Sequence, residues 1–492
     1  MRRARFAAFL ALAAAAAVGC GDRGGAPART LSLAECRLPR LATAAQCGEL
    51  EVPEDRRHPA GRRIRLAVAV LPANTLTPRP DPLFILAGGP GQAATRLGPF
   101  ADQLTDLRRD RDIVLVDQRG TGRSSPLDCA ALRHNDGFEA AIEADDRPKA
   151  QACVDELAAR GVDLAQYTTA AFVADLDAMR AALGYEHVNL WGGSYGTRVA
   201  LEYLRRHPAR VRSMVLDGVV PPGMAPMLDV WATREAALEA VFAACAASPA
   251  CRAAHPDPAA TLAAIGERRG AQGRDTALTD PRSGETRTLR LSFDRVLLAL
   301  QALLYVPELS SLLPQALADV AAGDYGGLLA ATSMLTADLA EQLDAALQFS
   351  VACTDDAPRL TPAGVAKALS GVRGRAVAER MLAVCAVWPR STVPADAATP
   401  VASDVPVLIL SGGLDPVTPP AYGTRVAATL PNSRHVVAAG YGHIVSPQAC
   451  GPRLIAAFVD DPGSRTLLPA CVEHFEKSAR PPLWPNRLGG RP

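Results

Sequence analysis

Ser194 stands in Gly192-Gly193-Ser194-Tyr195-Gly196, between the apolar run 187–191 and a helical pattern that begins at Thr197. A serine hydroxyl is a weak nucleophile unless a turn exposes it beside a base. A strand, a sharp turn and a helix in that order supply such a turn. The glycines let it close, and the amides at the start of the helix face any negative charge that develops there. Two later residues complete the order nucleophile, acid, base. Asp415 follows the strand-like run 406–411, where a carboxylate can orient a histidine and stabilise its imidazolium. His443 follows the strand-like run 433–439 and the glycines 440 and 442. A pKa near neutrality suits it to take the serine proton and return it to a leaving group. His435 is the nearest competitor among the eight histidines, but it lies inside a strand pattern and reads as structural.

Acyl chemistry also needs two backbone N–H donors for an oxyanion. Tyr195, the residue after the nucleophile, is one source. The other is a loop after an earlier strand, and the run 82–87 leads into Gly88-Gly89-Pro90-Gly91-Gln92. No Lys-Ser or Lys-Thr follows, which argues against a phosphate-binding loop. Strand-like and helical runs alternate from about 49 to 220. Ile64, Leu66, Val68 and Val70 keep a period of two, and Phe172, Val173, Leu176, Met179 and Leu183 keep a helical one that ends at Gly184. This predicts an α/β fold, a mostly parallel sheet flanked by helices. Pro221-Pro222-Gly223 breaks the pattern. Helical signals then dominate, at 233–247, 293–305, 309–322 and 334–348, until the sheet resumes near 405. The expected layout is a core in two parts, 49–221 and 401–475, a helical cap at 222–400 inserted between core strands, and a tail at 476–492. An independent second domain fits less well, because core strands return together with Asp415 and His443.

Gly88-Gly89-Pro90-Gly91, the run 117–124 (Asp-Gln-Arg-Gly-Thr-Gly-Arg-Ser), Gly192-Gly193-Ser194-Tyr195-Gly196, the run 413–419 and Gly442-His443 occur together and in this order. The combination resembles the α/β-hydrolase fold and, more narrowly, the proline iminopeptidase and tripeptidyl aminopeptidase family of serine peptidases. The resemblance implies Gly89 and Tyr195 as the oxyanion donors. It implies peptide N-termini as substrates, cleaved through an acyl-enzyme with no metal or organic cofactor. Ala87 departs from the histidine that proline iminopeptidases usually carry, so a side-chain contact is lost while the backbone donors survive. The motif at 117–124 reads as loop pinning by Asp117 and Arg119. An exopeptidase must bind a free amine, and cap carboxylates are its natural anchors. Asp229, Glu235, Glu239, Asp355 and Asp356 are the candidates, with Asp355, two residues from Cys353, and Glu235 preferred. A carboxylesterase or amidase is the alternative within enzymes. A non-catalytic envelope binding protein is the alternative outside them.

With 52 basic and 51 acidic residues in 492, the net charge of +1 gives no basic excess for a nucleic-acid partner. Arg2, Arg3 and Arg5 precede the short apolar stretch 6–18, and Ala17-Val18-Gly19-Cys20 resembles a bacterial lipobox. Residues 1–20 then form a lipoprotein-type signal peptide with Cys20 as the lipidation site, and 21–48 a tether and N-terminal segment. Ordinary secretion is the alternative, and a lipid anchor would be the sole membrane contact. Without Cys20, ten of the eleven cysteines remain. The simplest pairing is local: Cys36 with Cys47, Cys129 with Cys153, Cys245 with Cys251, Cys353 with Cys385, Cys450 with Cys471. Five disulfides would place the chain in an oxidising compartment.

Overall fold

The computed structural model describes residues 30–133, 147–280, 283–464 and 466–484. The expected signal peptide, Cys20 and the first part of the tether lie outside the described residues. Nine strands form one sheet in the order β1-β2-β3-β5-β4-β6-β7-β10-β11. β1 (Ala34–Cys36), β2 (Ala45–Pro53) and β3 (Arg63–Leu71) are antiparallel neighbours, and β3 is antiparallel to β5 (Ile113–Val116). From β5 onward the pairing is parallel, through β4 (Leu83–Leu86), β6 (Val188–Gly193), β7 (Val211–Asp217), β10 (Val407–Gly412) and β11 (Ser433–Ala438). β4, β5 and β10 are buried at every residue, as continuous apolar strands covered on both faces must be.

Successive side chains on these strands go to opposite faces. Phe84, Leu86, Val114, Val116 and Leu190 join one core cluster, packed under the helices Arg147–Ala159, Thr169–Ala182 and Tyr195–Arg206. Leu83, Ile85, Ile113, Leu115 and Trp191 join a second, packed under Gly98–Gln103, Gly451–Asp460 and Pro469–Glu476. The five cysteine pairs are formed as local pairing predicts.

The segment between β7 and β10 departs from the sheet, and it differs from the expected cap in three ways. It contains a two-stranded hairpin, β8 (Arg274–Thr279) with β9 (Thr286–Leu291), where only helices were expected. The alternation in Thr286-Arg287-Thr288-Leu289-Arg290-Leu291 carried that signal. The helix expected at 334–348 is broken: one helix ends at Gln342, and Asp344 caps the next, Ala345–Val351, by accepting from the Leu347 N–H at 2.9 Å. Finally, the segment is not one body. Helices Pro226–Ala247, Pro258–Arg269, Phe293–Ala302 and Leu313–Ala322 share a core of their own around Leu238, Leu262, Leu297 and Leu317. Phe349, Val351, Cys353, Val384, Cys385 and Trp388 instead join the first core cluster of the main sheet.

Candidate active site

β6 ends at Gly193, and the helix Tyr195–Arg206 begins two residues later. Ser194 between them has φ 54° and ψ −121°, a conformation that costs a non-glycine residue energy and survives only where the surroundings fix it. The surroundings do so at two points. The Ser194 N–H donates to the Asp217 carbonyl at 2.8 Å. Gly196 lies so close to the end of β4 that a side-chain carbon there would stand 2.1 Å from the Leu86 carbonyl oxygen. Only glycine lets the helix start this near the neighbouring strand.

Asp415 is buried on the loop after β10. Its carboxylate accepts from the N–H groups of Val417 at 2.8 Å and Thr418 at 2.9 Å, from the Thr418 hydroxyl at 2.7 Å, and from His443 Nδ1 at 2.8 Å. Burial alone would raise its pKa, but the His443 charge and these donors outweigh it and hold the carboxyl below its ordinary range. His443 follows β11, and its side chain is 12% exposed. Burial opposes the charged imidazolium. The Asp415 charge and hydrogen bond overcome that, so the ring sits above its ordinary value, with Arg234 pulling the other way. The Nδ1 contact commits the opposite nitrogen, Nε2, to any proton transfer.

The chain between Ser194 and His443 is Asp217-Gly218. Asp217 receives Ser194 through its carbonyl. Its buried carboxylate accepts from Val445 at 2.9 Å and Ser446 at 2.6 Å, tying the histidine loop to β7. Gly218 has φ +64°, and a side-chain carbon there would lie 3.1 Å from His443 Cε1. The serine turn and the histidine ring therefore flank one stretch of backbone. Sequence reasoning missed Asp217 and Thr418; the one available signal was an aspartate at the end of a core strand.

The loop after β4 lies against the nucleophile turn. A side-chain carbon on Gly88 would meet Ser194 Cβ at 3.2 Å, and Gly89, at φ +104°, is exposed. The Tyr195 side chain turns away from this loop. Its hydroxyl is bonded to Thr169 Oγ1 at 2.8 Å and accepts from Gln118 at 3.3 Å, which leaves the backbone as this residue's contribution to the site. The cap segment covers both sides. The Asp344 N–H donates to the Gly91 carbonyl at 2.8 Å, and Leu343 lies against Gly89. On the other side, the Tyr305 ring meets His443 edge-on with centroids 5.8 Å apart.

The two carboxylates expected to bind an amine have other partners. Asp355 accepts from the Thr169 N–H at 3.0 Å and lines a pocket with Arg198, Glu202, Arg359 and Pro394, which contains none of Ser194, Asp415 and His443. Burial pushes its carboxyl up to about 6. Glu235 is paired with Arg373, which also holds Glu239 at 2.6 Å. Neighbouring cations and amides claim both groups, and sequence alone does not show such partners. Asp117 and Arg119 pin loops, as expected. Asp117 accepts from the Thr95 and Arg123 N–H groups at 2.9 and 3.1 Å, and Arg119 forms a two-pronged pair with Asp175 at 2.6 and 2.7 Å.

A mostly parallel sheet with a serine turn after one strand, and a coupled aspartate and histidine after two later ones, defines an α/β-hydrolase. The comparisons agree. The model of the alpha/beta hydrolase fold matches residues 81–264, and that of TAP-like proteins matches 370–466. Carboxylesterase B of Mycobacterium tuberculosis is 30% identical over 461 residues, 84% of each chain. Serine protease Hip1 of the same species is 34% identical over 201 residues, 38% of each chain. Tripeptidyl aminopeptidase of Streptomyces lividans is 34% identical over 211 residues, 38% of this chain and 37% of that one. The match thus spans well under half the length of the two peptidases. The chain belongs to the α/β-hydrolase family, and its C-terminal part matches TAP-like proteins.

Proposed function

We propose that this protein is an exported serine hydrolase that releases residues or short peptides from peptide N-termini. The reading rests above all on the Asp415–His443 contact of 2.8 Å beside a serine held at positive φ. In this reading Ser194 Oγ attacks the scissile carbonyl carbon while His443 Nε2 takes its proton. The Gly89 and Tyr195 amides receive the oxyanion. As the tetrahedral intermediate collapses, the C–N bond breaks and His443 returns the proton to the leaving amine. Water, deprotonated by the same ring, then releases the acyl group from Ser194. Asp415 stays ionised and fixes the tautomer.

The Streptomyces relative's name supports the peptidase reading. The five disulfides support export to an oxidising compartment, with lipidation at Cys20 as the proposed anchor. One observation favours carboxylester hydrolysis as a second reading: the relative aligned over 84% of both chains is named a carboxylesterase.

The test is a hydrolysis panel on the protein and its Ser194→Ala variant, with free-amine and N-blocked peptidyl anilides and short nitrophenyl esters. Free-amine anilides alone should be cleaved, and kcat should fall by about 10³-fold or more in the variant. Ester cleavage with inert anilides would favour the second reading. Turnover unchanged in Ser194→Ala would refute the nucleophile.

A further inference from the structure

Arg234 lies on the cap helix Pro226–Ala247, one turn beyond Trp231. Its guanidinium carbon is 5.5 Å from the Trp231 ring centroid and 5.5 Å from that of Tyr305. Nη2 donates to the Tyr305 hydroxyl at 2.8 Å. The same Tyr305 ring meets His443 edge-on, so the cation and the histidine contact one aromatic group.

Among the described residues no carboxylate pairs with Arg234. The two acidic residues that follow it on the helix, Glu235 and Glu239, are both taken by Arg373. Nε is buried without any hydrogen-bond partner. Nη1 makes no hydrogen bond with a described residue. Most buried arginines are forked onto a carboxylate or onto carbonyl oxygens, because an unmatched guanidinium in a partly desolvated place is costly. Cation–π contact with two rings offsets part of that cost and fixes the guanidinium plane, while Nη1 keeps no acceptor among the described residues. A rigid guanidinium whose Nη1 has no acceptor among the described residues, one aromatic ring away from His443, can meet a carboxylate.

We propose that Arg234 anchors a carboxylate of the substrate, so that this site selects anionic acyl donors or short peptides over their neutral counterparts. The inference rests on the serine-hydrolase reading above and narrows its substrate class. The carboxylate has two sources: an acidic side chain on the acyl residue, or the free carboxyl terminus of a short leaving peptide. Both present the same group within a few bonds of the scissile carbonyl.

Matched pairs separate these sources. On the acyl side, mono-nitrophenyl glutarate is compared with nitrophenyl butyrate, and a glutamyl anilide with the glutaminyl one. On the leaving side, dialanine is compared with its amide. A preference of about 10- to 100-fold in kcat/KM for the carboxylate member is expected in at least one arm, since a charge-assisted fork carries that much discrimination. Compared on the plateau above the acidic limb of each pH profile, Arg234→Gln should remove the preference while the neutral member changes little, and Arg234→Lys should restore part of it. Equal rates for both members of every pair, or an equal fall for both in Arg234→Gln, would overturn the proposal. Titration of the same dipeptide pair into Ser194→Ala, and into Ser194→Ala with Arg234→Gln, reads the anchor without turnover. Tighter binding of dialanine than of its amide in the single variant only supports the leaving-side anchor even where the panel shows no cleavage. Equal binding with no kinetic preference sinks it. A neutral fluorophosphonate probe reports on Ser194 separately: failure to label the native protein sinks the acyl-enzyme reading, and normal labelling in Arg234→Gln shows the reaction centre intact.

Discussion

Two arginines of this molecule sit near aromatic or acidic neighbours, and they are treated in opposite ways. Arg119, on the loop after β5, is fully buried, and each of its nitrogens is hydrogen-bonded. Nε and Nη2 grip Asp175, and Nη1 donates to the carbonyls of Glu54 and Gln166 at 2.8 and 3.0 Å. Arg234, in the cap, has among the described residues one hydrogen bond and two ring faces. The first arrangement closes every donor inside the protein and locks the loops at residues 54, 119 and 166 together. The second leaves donors without protein acceptors where the cap meets His443. Saturated polar groups belong to the scaffold; the unsaturated one marks where a ligand would complete the structure.

Stability measurements break this comparison if it is wrong. Arg119→Met strips a buried carboxylate of its main partner, and loss of one half of a buried pair costs about 3–5 kcal/mol. Arg56, also 2.6 Å from Asp175, stays in place and keeps the expected loss near the lower end. Urea unfolding followed by far-ultraviolet circular dichroism measures it, and a loss under about 1 kcal/mol would show that Arg119 does not hold the scaffold. Arg234→Met should behave differently. It removes a buried unmatched Nε and keeps apolar contact with the rings, so the same titration should find stability unchanged or raised, within about 1 kcal/mol. A loss as large as that of Arg119→Met would place Arg234 in the scaffold.

The sheet and the positions of the residues proposed to react were legible in the sequence because both follow from local pattern. Strands β4, β5, β6, β7 and β10 announce themselves as apolar runs, and Ser194, Asp415 and His443 each stand just past a strand end beside glycines. Local cysteine spacing sufficed for five disulfides because each bridge closes a short stretch, at most 32 residues apart. The cap was legible only as helical. Its hairpin, the break at Leu343-Asp344 and the merging of residues 346–353 and 384–388 with the main core depend on contacts distant in sequence. The Asp344 N–H meets Gly91, and Cys353 and Trp388 pack with strand residues. The same limit explains the carboxylates. Asp355 and Glu235 looked free as sequence positions, yet Thr169 and Arg373 claim them, whereas Arg234, with no motif around it, keeps a buried Nε without an acceptor among the described residues.

The pH dependence of kcat/KM is the finest test of the contrast. His443 must be neutral to accept the Ser194 proton, so activity rises with pH as the ring loses its own proton. Burial lowers the pKa of that ring, but the Asp415 contact, with a smaller contribution from Asp217, more than reverses this, and the positive charge of Arg234 opposes them. The acidic limb should therefore lie above the ordinary histidine value, and Arg234→Gln should move it to still higher pH, because a charge that disfavours the imidazolium has gone. The shift should appear with a neutral substrate, whose binding does not use Arg234, and should shrink as ionic strength screens the native charge. Arg119→Met should leave the limb where it is, since its charge is paired with the buried Asp175. A limb that stays fixed in Arg234→Gln would mean that Tyr305 insulates the cation from the ring, and the carboxylate anchor would then stand on substrate preference alone.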